Sequence, residues 1–318
     1  QFLISLIILF NNKNINLIYF FKQFYKQLLI FLFCLSIFIY ILNPIFWLNP
    51  FELINSVKWM SQYFNNICTL TLGDCMSSLS LPASYYFIWL FFKLPILILL
   101  GLILFPIVEK QIFNDAINSI YYGTFVFSSL LIIILFILLR VNIYDEIRHI
   151  MFIVPLIFLV GLINLYMFNK KFSFLLLSLT SVFFLIENIN LNPYQYTWLN
   201  SFAKFTNIEK NFEIDYWGVS GKNLQKKINE YSKTNKISKE ICIYGDEFTK
   251  EFLINKGFTC FQRYQELDSA KIKPAIAYKN LRNAKRSNPR DCKLIWNETY
   301  KYTFYNKKVS VGTLWFCS

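Results

Sequence analysis

Residues 123–139 read GTFVFSSLLIIILFILL, a run of 17 residues without a charged side chain. An apolar run of about 20 residues can cross the hydrocarbon core of a bilayer as a helix. Similar runs precede and follow it, at Gln27–Trp47, Tyr86–Val108, Ile150–Phe168 and Phe172–Ile186. The pattern predicts a polytopic α-helical membrane protein with about five complete spans. Gln1 already lies next to the apolar run Phe2–Phe10, so we expect a truncated first helix and a longer parent protein.

The composition changes once along the chain, near Asn190. The whole sequence is 55% hydrophobic, with 35 Phe, 20 Tyr and a mean hydropathy of +0.40, which is too apolar for an ordinary soluble fold. Residues 191–318 nevertheless carry 22 of the 32 Lys and Arg against 12 Asp and Glu. We therefore predict a transmembrane domain over residues 1–190 and a small extracytoplasmic α/β domain over residues 191–318. Its basic charge favours membrane lipid or glycan over nucleic acid as a partner.

The loops between the predicted spans differ in charge. Lysines on alternate loops mark the cytoplasmic side by the positive-inside rule. They are Lys13, Lys22, Lys26, Lys110, Lys170 and Lys171, against Lys58, Arg140 and Arg148 on the opposite loops. This bias predicts a multi-pass protein of the inner (cytoplasmic) membrane with its C-terminal domain outside the cytoplasm.

Cysteine placement independently favours the same topology. Of seven cysteines, Cys34 falls inside a predicted span, and the other six fall on the predicted outer side in groups of two and four. Disulfides persist in an oxidising compartment, although six unrelated buried thiols are the alternative. We expect a Cys68–Cys75 bridge. Three pairings are possible for the other four, and we favour Cys242–Cys260, at the ends of adjacent predicted strands, with Cys292–Cys317, which brackets a predicted hairpin.

The tail has the pattern of a small α/β domain. The predicted strands are 241–244, 258–261 and 275–278, followed by a hairpin of 296–305 and 308–316 that turns near Asn306. The predicted helices are 222–231 and 247–255, and the basic stretch 282–290 is predicted to be a loop.

The segment Tyr144–His149 is the strongest candidate for chemistry, because it places four ionisable groups directly before a span. Arg148 could hold a lipid-linked phosphate through its guanidinium fork, and His149 could donate to the same oxygen. Asp145 or Glu146 would orient the arginine. The alternative is an ordinary interfacial turn in which Arg148 pairs with a neighbouring acid.

Lys93 lies about two turns inside its predicted span. Either it reaches out to the lipid headgroups, or it faces the same lipid-phosphate cavity as Arg148 and His149.

Two aromatic segments follow the last span. Tyr194 and Tyr196 lie in the first, and Asp215, Tyr216 and Trp217 lie in the second. Such polar-aromatic clusters pack against sugar rings, which predicts a substrate-side surface. The alternative is aromatic packing between the tail and the membrane helices. With one histidine and no metal-ligand spacing, the sequence predicts neither a metal site nor a cofactor.

Four motifs occur in an order that resembles bacterial membrane glycosyltransferases of the GT-C fold, close to the dolichyl-phosphate-mannose protein mannosyltransferase family. They are the Pro82–Tyr86 helix entry, Tyr144–His149 before a helix containing Pro155, the Asn192–Asn200 segment, and Asp215–Gly218. The resemblance covers about residues 40–225.

The resemblance implies transfer of a sugar from a polyprenyl-phosphate sugar to a hydroxyl of a glycan, lipid or protein acceptor. Family members carry the catalytic Asp in an early extracytoplasmic loop that this sequence lacks, so no residue inherits that role and we expect this chain alone to be inactive. The alternatives are another membrane protein of envelope polysaccharide assembly (a polymerase, ligase or flippase component) or a membrane-anchored periplasmic binding module.

Overall fold

The computed structural model describes residues 17–49, 51–52, 54–56, 66–114, 116–245, 250, 253–269, 274–280, 288–303 and 308–318. We number the helices in chain order. They are α1 Leu17–Leu42, α2 Ile45–Leu48, α3 Ser84–Lys93, α4 Ile96–Ile103, α5 Phe105–Phe113, α6 Ala116–Leu138, α7 Val154–Phe168, α8 Lys170–Leu191, α9 Ile208–Asn211 and α10 Ser220–Thr234. The strands are β1 Cys68–Thr71, β2 Asp74–Ser77, β3 Cys242–Gly245, β4 Cys260–Arg263, β5 Ala275–Asn280, β6 Cys292–Lys301 and β7 Lys308–Cys317.

Three segments in the described part of the chain are helical, long and apolar enough to cross a membrane: Tyr121–Leu138, Arg148–Phe168 and Lys170–Leu191. The second begins with a 3-10 turn, Arg148–Ile153, that leads into α7. A fourth span is present if α3 and α4, which are bent by 118°, are counted as one. These apolar helices indicate association with a membrane.

Several predicted spans need correction. The last span is longer than predicted, because α8 runs from Lys170 to Leu191, whereas the predicted span covered residues 172–186. The first described helix runs from Leu17 to Leu42 instead of from Gln27 to Trp47, so Lys22 and Lys26 lie in it rather than on the predicted loop. Tyr86–Val108 is not a single continuous helix but is divided into α3, α4 and α5. The predicted total of about five therefore becomes three or four among the described residues, and Phe2–Phe10 lies outside them.

Pro95 causes the sharp bend between α3 and α4. Leu94 is extended, with φ −81° and ψ 137°, which is the conformation that a following proline favours. Pro95 also has no N–H to donate to the carbonyl of Phe91, four residues earlier. Asn200 replaces the missing donor: its Nδ2 lies 2.6 Å from Phe91 O and 3.0 Å from Leu94 O. Its backbone N lies 2.8 Å from Phe92 O, so the tail stabilises the bend.

We expect Asn200→Ala to lower stability by about 1–3 kcal/mol, because it leaves buried carbonyls without a donor. The measurement is thermal unfolding of the purified protein in detergent. Asn188→Ala is the matched control, since the exposed Asn188 side chain donates to Phe184 O within its own helix at 2.8 Å. Equal unfolding temperatures for the two variants would contradict the capping role.

Helices α4 and α7 approach each other at two glycines. A methyl group at Gly101 would lie 2.2 Å from the backbone oxygen of Gly161, and one at Gly161 would lie 2.9 Å from Ile98 O. Asn164 donates from its buried Nδ2 to Gly101 O at 2.9 Å across the same contact. Small residues and an interhelical hydrogen bond are the usual means of close packing between membrane helices.

The tail forms a mixed five-stranded sheet of order β4-β3-β5-β7-β6. Strand β3 pairs in parallel with β4 and β5, while β7 is antiparallel to β5 and β6. Alternate residues face opposite sides: Ile243 packs with Leu224 and Ile228 of α10, and Tyr244 packs with Tyr264 on the other face.

The predicted strands, the terminal hairpin and the helix over residues 222–231 are confirmed. The predicted helix 247–255, the turn near Asn306 and the loop 282–290 fall wholly or mostly outside the described residues.

The three predicted disulfides are confirmed. Cys68–Cys75 joins β1 to β2, Cys242–Cys260 joins β3 to β4, and Cys292–Cys317 joins β6 to β7, with Cα–Cα distances of 5.3, 4.5 and 4.1 Å. The last two pairs are direct neighbours in the strand register. The β1–β2 hairpin contacts the tail through Glu213 N and Leu70 O, 2.9 Å apart. Three disulfides indicate an oxidising compartment for this part of the protein.

Candidate functional site

The loop between α6 and α7 has an unusual backbone. Asp145 and Glu146 adopt positive φ angles of +57° and +65°, in the left-handed region that non-glycine residues rarely occupy. Both side chains are nevertheless buried. Backbone of this kind costs energy, so it persists only where the surroundings hold it, and it concentrates at functional sites.

Arg148 begins the 3-10 turn that follows this loop. Its Nη1 lies 3.0 Å from Asp145 Oδ2, and its side chain remains 25% exposed. The guanidinium carbon lies 4.8 Å from the ring centroid of Tyr144 and 5.1 Å from that of Trp217. Asp145 therefore orients a guanidinium that two aromatic rings also contact. The Arg148–Asp145 ion pair is expected both of a phosphate-binding arginine and of an ordinary interfacial turn. The contact between Arg148 and Trp217, a residue of the tail, was not part of either interpretation.

Lys93, at the end of α3, forms an ion pair with Glu146. Its Nζ also donates to Tyr196 O at 2.9 Å, and its side chain is only 10% exposed. The interpretation that Lys93 extends outward to the headgroups is therefore wrong. Burial raises the pKa of Glu146 to about 7, and the charge of Lys93 opposes that rise. The pair links the broken helix, the α6–α7 loop and the tail.

His149 lies beside Arg148, and its ring packs edge-on against Tyr144 with centroids 4.8 Å apart. Its Nε2 is buried, and none of the described residues hydrogen-bonds to it. Arg148 and His149 thus both contact Tyr144, and their shared role at a lipid phosphate stays a prediction. Lys93 reaches the same loop through its ion pair with Glu146.

The predicted substrate-side cluster separates into buried and exposed members. The Tyr194 hydroxyl donates to Glu298 Oε1 of β6 at 2.9 Å, and the Tyr196 hydroxyl donates to Asp215. Tyr216 is buried against Tyr196, with ring centroids 5.2 Å apart. These contacts join residues of the tail to one another, whereas the alternative interpretation placed aromatic packing between the tail and the membrane helices. Trp217 differs, because it is 59% exposed while lying over Arg148.

Asp215 is buried at the start of α10, where its Oδ1 accepts from Val219 N at 2.8 Å. Its Oδ2 accepts from Ser220 N at 3.2 Å. Burial raises the pKa of Asp215, although the hydrogen bonds from Ser220 and Tyr196 oppose this. These bonds satisfy N–H groups at the helix start, so Asp215 positions the segment that carries Trp217.

Sequence reasoning missed a second buried ion pair, between Glu187 of α8 and Lys204 of the tail. Trp198 Nε1 donates to the other oxygen of Glu187 at 2.7 Å, and Lys204 Nζ lies 4.8 Å from the Tyr302 ring centroid. Glu187 is the only acidic residue in α8, and an isolated charge in an apolar helix could have indicated a buried ion pair. The pair fixes the tail to the end of the membrane helices.

Within the described ranges, no group of three or more His, Cys, Asp or Glu side chains is placed to hold a metal ion. No family model, curated protein or solved structure matches this chain.

Proposed function

We propose that this protein is a GT-C-like membrane glycosyltransferase that takes its sugar from a polyprenyl-phosphate sugar. The observation that supports this most directly is the Arg148 guanidinium, oriented by Asp145 and contacted by Tyr144 and Trp217 while still partly exposed. A guanidinium fork matches a phosphate group, and Arg is favoured where a phosphate must be bound with fixed geometry. The order of motifs and the apolar helices support the same conclusion.

In the proposed reaction, an acceptor hydroxyl oxygen attacks the anomeric carbon of the sugar. The bond from that carbon to the phosphate oxygen breaks, and polyprenyl phosphate leaves with the bonding electron pair. The hydroxyl proton passes to a carboxylate that the resemblance places in an earlier loop. Arg148 stabilises the charge that develops on the phosphate, because a fixed cation requires no reorganisation during the reaction.

His149 and Trp217 fit beside this phosphate. A buried polar atom without a partner costs about 1–3 kcal/mol, so the unpaired Nε2 of His149 is a reason to expect a ligand contact there. Trp217 presents an exposed indole next to the guanidinium, where the sugar of a phosphate-linked donor would lie.

A donor comparison tests the proposed activity. Membranes that contain the full-length protein should transfer label from a polyprenyl-phosphate sugar to endogenous acceptors, with release of polyprenyl phosphate. They should transfer none from the matching nucleotide sugar when synthesis of the lipid-linked donor is blocked. Transfer from the nucleotide sugar alone would overturn the proposal. So would binding of glycan without any transfer, as expected of a binding module.

We further propose that the membrane is the inner membrane and that the Arg148 loop, the disulfides and the tail lie outside the cytoplasm. The geometry supports one common side for them, because Lys93 contacts Tyr196 and Arg148 contacts Trp217. The turn at Lys170 and Lys171 lies at the opposite end of α7, about 22 Å away for 15 residues.

Reporter fusions test this topology. A fusion after Lys171 should be active as a cytoplasmic reporter, and a fusion after Asn200 should be active as an extracytoplasmic reporter, since α8 separates the two positions. A cytoplasmic signal after Asn200 would contradict the assigned compartment.

A further inference from the structure

A cavity lies near the end of the helices that is opposite to Arg148. Its volume is about 390 Å³, and it is formed mainly by α6, α7 and α8. Its walls are almost entirely apolar and include Tyr122, Leu162, Met167 and Leu177. Small-molecule pockets in proteins measure about 300–1,000 Å³, so this space is large enough for part of a ligand.

The cavity is open at its side. Several of its lining residues are exposed at the surface of the helices, among them Tyr121, Tyr166 and Phe174. The lining positions on α7 run from Leu159 to Met167, so they extend to the end of that helix that is far from Arg148. Because α7 and α8 are apolar enough to cross a membrane, we expect this opening to face lipid acyl chains.

Among the described residues, the one charged side chain that lines the cavity is a cation. Lys170 begins α8, is exposed, and holds its Nζ 5.5 Å from the ring centroid of Tyr166. In the described part of the chain, the ion pairs do not include Lys170. Lys171 follows it at the same end of the helix. The cavity thus combines an apolar interior with a positive charge at the end of the spans.

We propose that this cavity binds an anionic phospholipid, with an acyl chain between α6, α7 and α8 and the phosphate headgroup at Lys170. An apolar interior at membrane depth fits an acyl chain, and the lysine fits the negative headgroup. Basic pockets between membrane helices bind anionic lipid headgroups in this way. The site is separate from the proposed sugar-transfer site, since the two lie at opposite ends of α7.

Native mass spectrometry tests the proposal. Purified, delipidated full-length protein is equilibrated with equimolar dioleoyl phosphatidylglycerol and dioleoyl phosphatidylcholine. We expect the wild-type protein to retain about fivefold more of the anionic lipid, as one nearby positive charge allows. Lys170→Gln should abolish this preference. Lys171→Gln is the matched control, since Lys171 does not line the cavity and its loss should leave the preference largely intact.

A second pair of variants tests the acyl-chain part of the site. Leu177→Trp fills the cavity and should lower retention of both lipids, whereas Leu175→Trp, on the same helix but outside the cavity lining, should not. Equal retention of the two lipids by the wild-type protein would overturn the proposal. An unchanged preference in Lys170→Gln would also overturn it. So would undiminished lipid retention in Leu177→Trp, which would point to a protein segment rather than a lipid as the occupant.

Discussion

Replacement of Arg148 by alanine should lower the rate of sugar transfer about hundredfold or more, which is the usual effect of removing one preorganised group that stabilises developing charge. Arg148→Lys should recover only part of this rate, because an ammonium keeps the charge but loses the fork that holds two phosphate oxygens. The measurement is transfer per folded molecule, from a polyprenyl-phosphate sugar, by the full-length protein in membranes.

Two controls separate binding of phosphate from a purely structural role. Arg140→Ala removes an exposed cation from the same loop and should leave the rate unchanged. Arg148→Ala also leaves the buried Asp145 without its arginine, so its unfolding temperature must be measured beside its activity. A lower unfolding temperature with normal activity per folded molecule would make Arg148 a structural partner of Asp145 and would refute the phosphate assignment.

The second large effect should come from the buried pair of Lys93 and Glu146. Glu146→Gln leaves the Lys93 ammonium buried without a counter-charge, and we expect a loss of about 3 kcal/mol or more. Lys93→Met should cost less, because a buried glutamate can neutralise itself by binding a proton. The double variant should recover most of the loss, since it contains no buried charge at this position. Unfolding of the purified proteins by denaturant gives the three free energies for this cycle.

The pH dependence of Lys93→Met follows from the same carboxyl group. Burial already raises the pKa of Glu146 from 4.5 to about 7, and removal of Lys93 removes the main factor that opposes this rise. A group with a raised pKa binds more protons in the folded state, so its contribution to stability increases as the pH falls from about 8 to about 5. Lys93→Met should therefore lose less stability at pH 5 than at pH 8. Equal losses at both values would show that Glu146 stays ionised.

The sequence by itself predicted the parts of this protein that depend on local pattern. Long apolar runs identified α6 and α8. A segment in lipid finds no water, so its backbone N–H and C=O groups must hydrogen-bond to each other, and a helix makes all of these bonds within one segment. β-rich runs and turn residues identified β3, β5 and the terminal hairpin, and with them two of the three cysteine pairs, Cys242–Cys260 and Cys292–Cys317. The juxtaposition of Asp145 and Arg148 was also predictable, since residues three apart in a tight turn lie side by side.

Contacts between distant segments were decided only by the tertiary structure. The sequence predicted one continuous span over Tyr86–Val108, and the donor that makes the 118° bend at Pro95 tolerable is Asn200, more than 100 residues later. The choice of Glu146 rather than Asp145 as the partner of Lys93, and the placement of Trp217 over Arg148, likewise join separate elements. A buried charge or freed carbonyl requires some partner, but sequence spacing cannot say which distant residue supplies it, because that depends on how the tail packs against the helices.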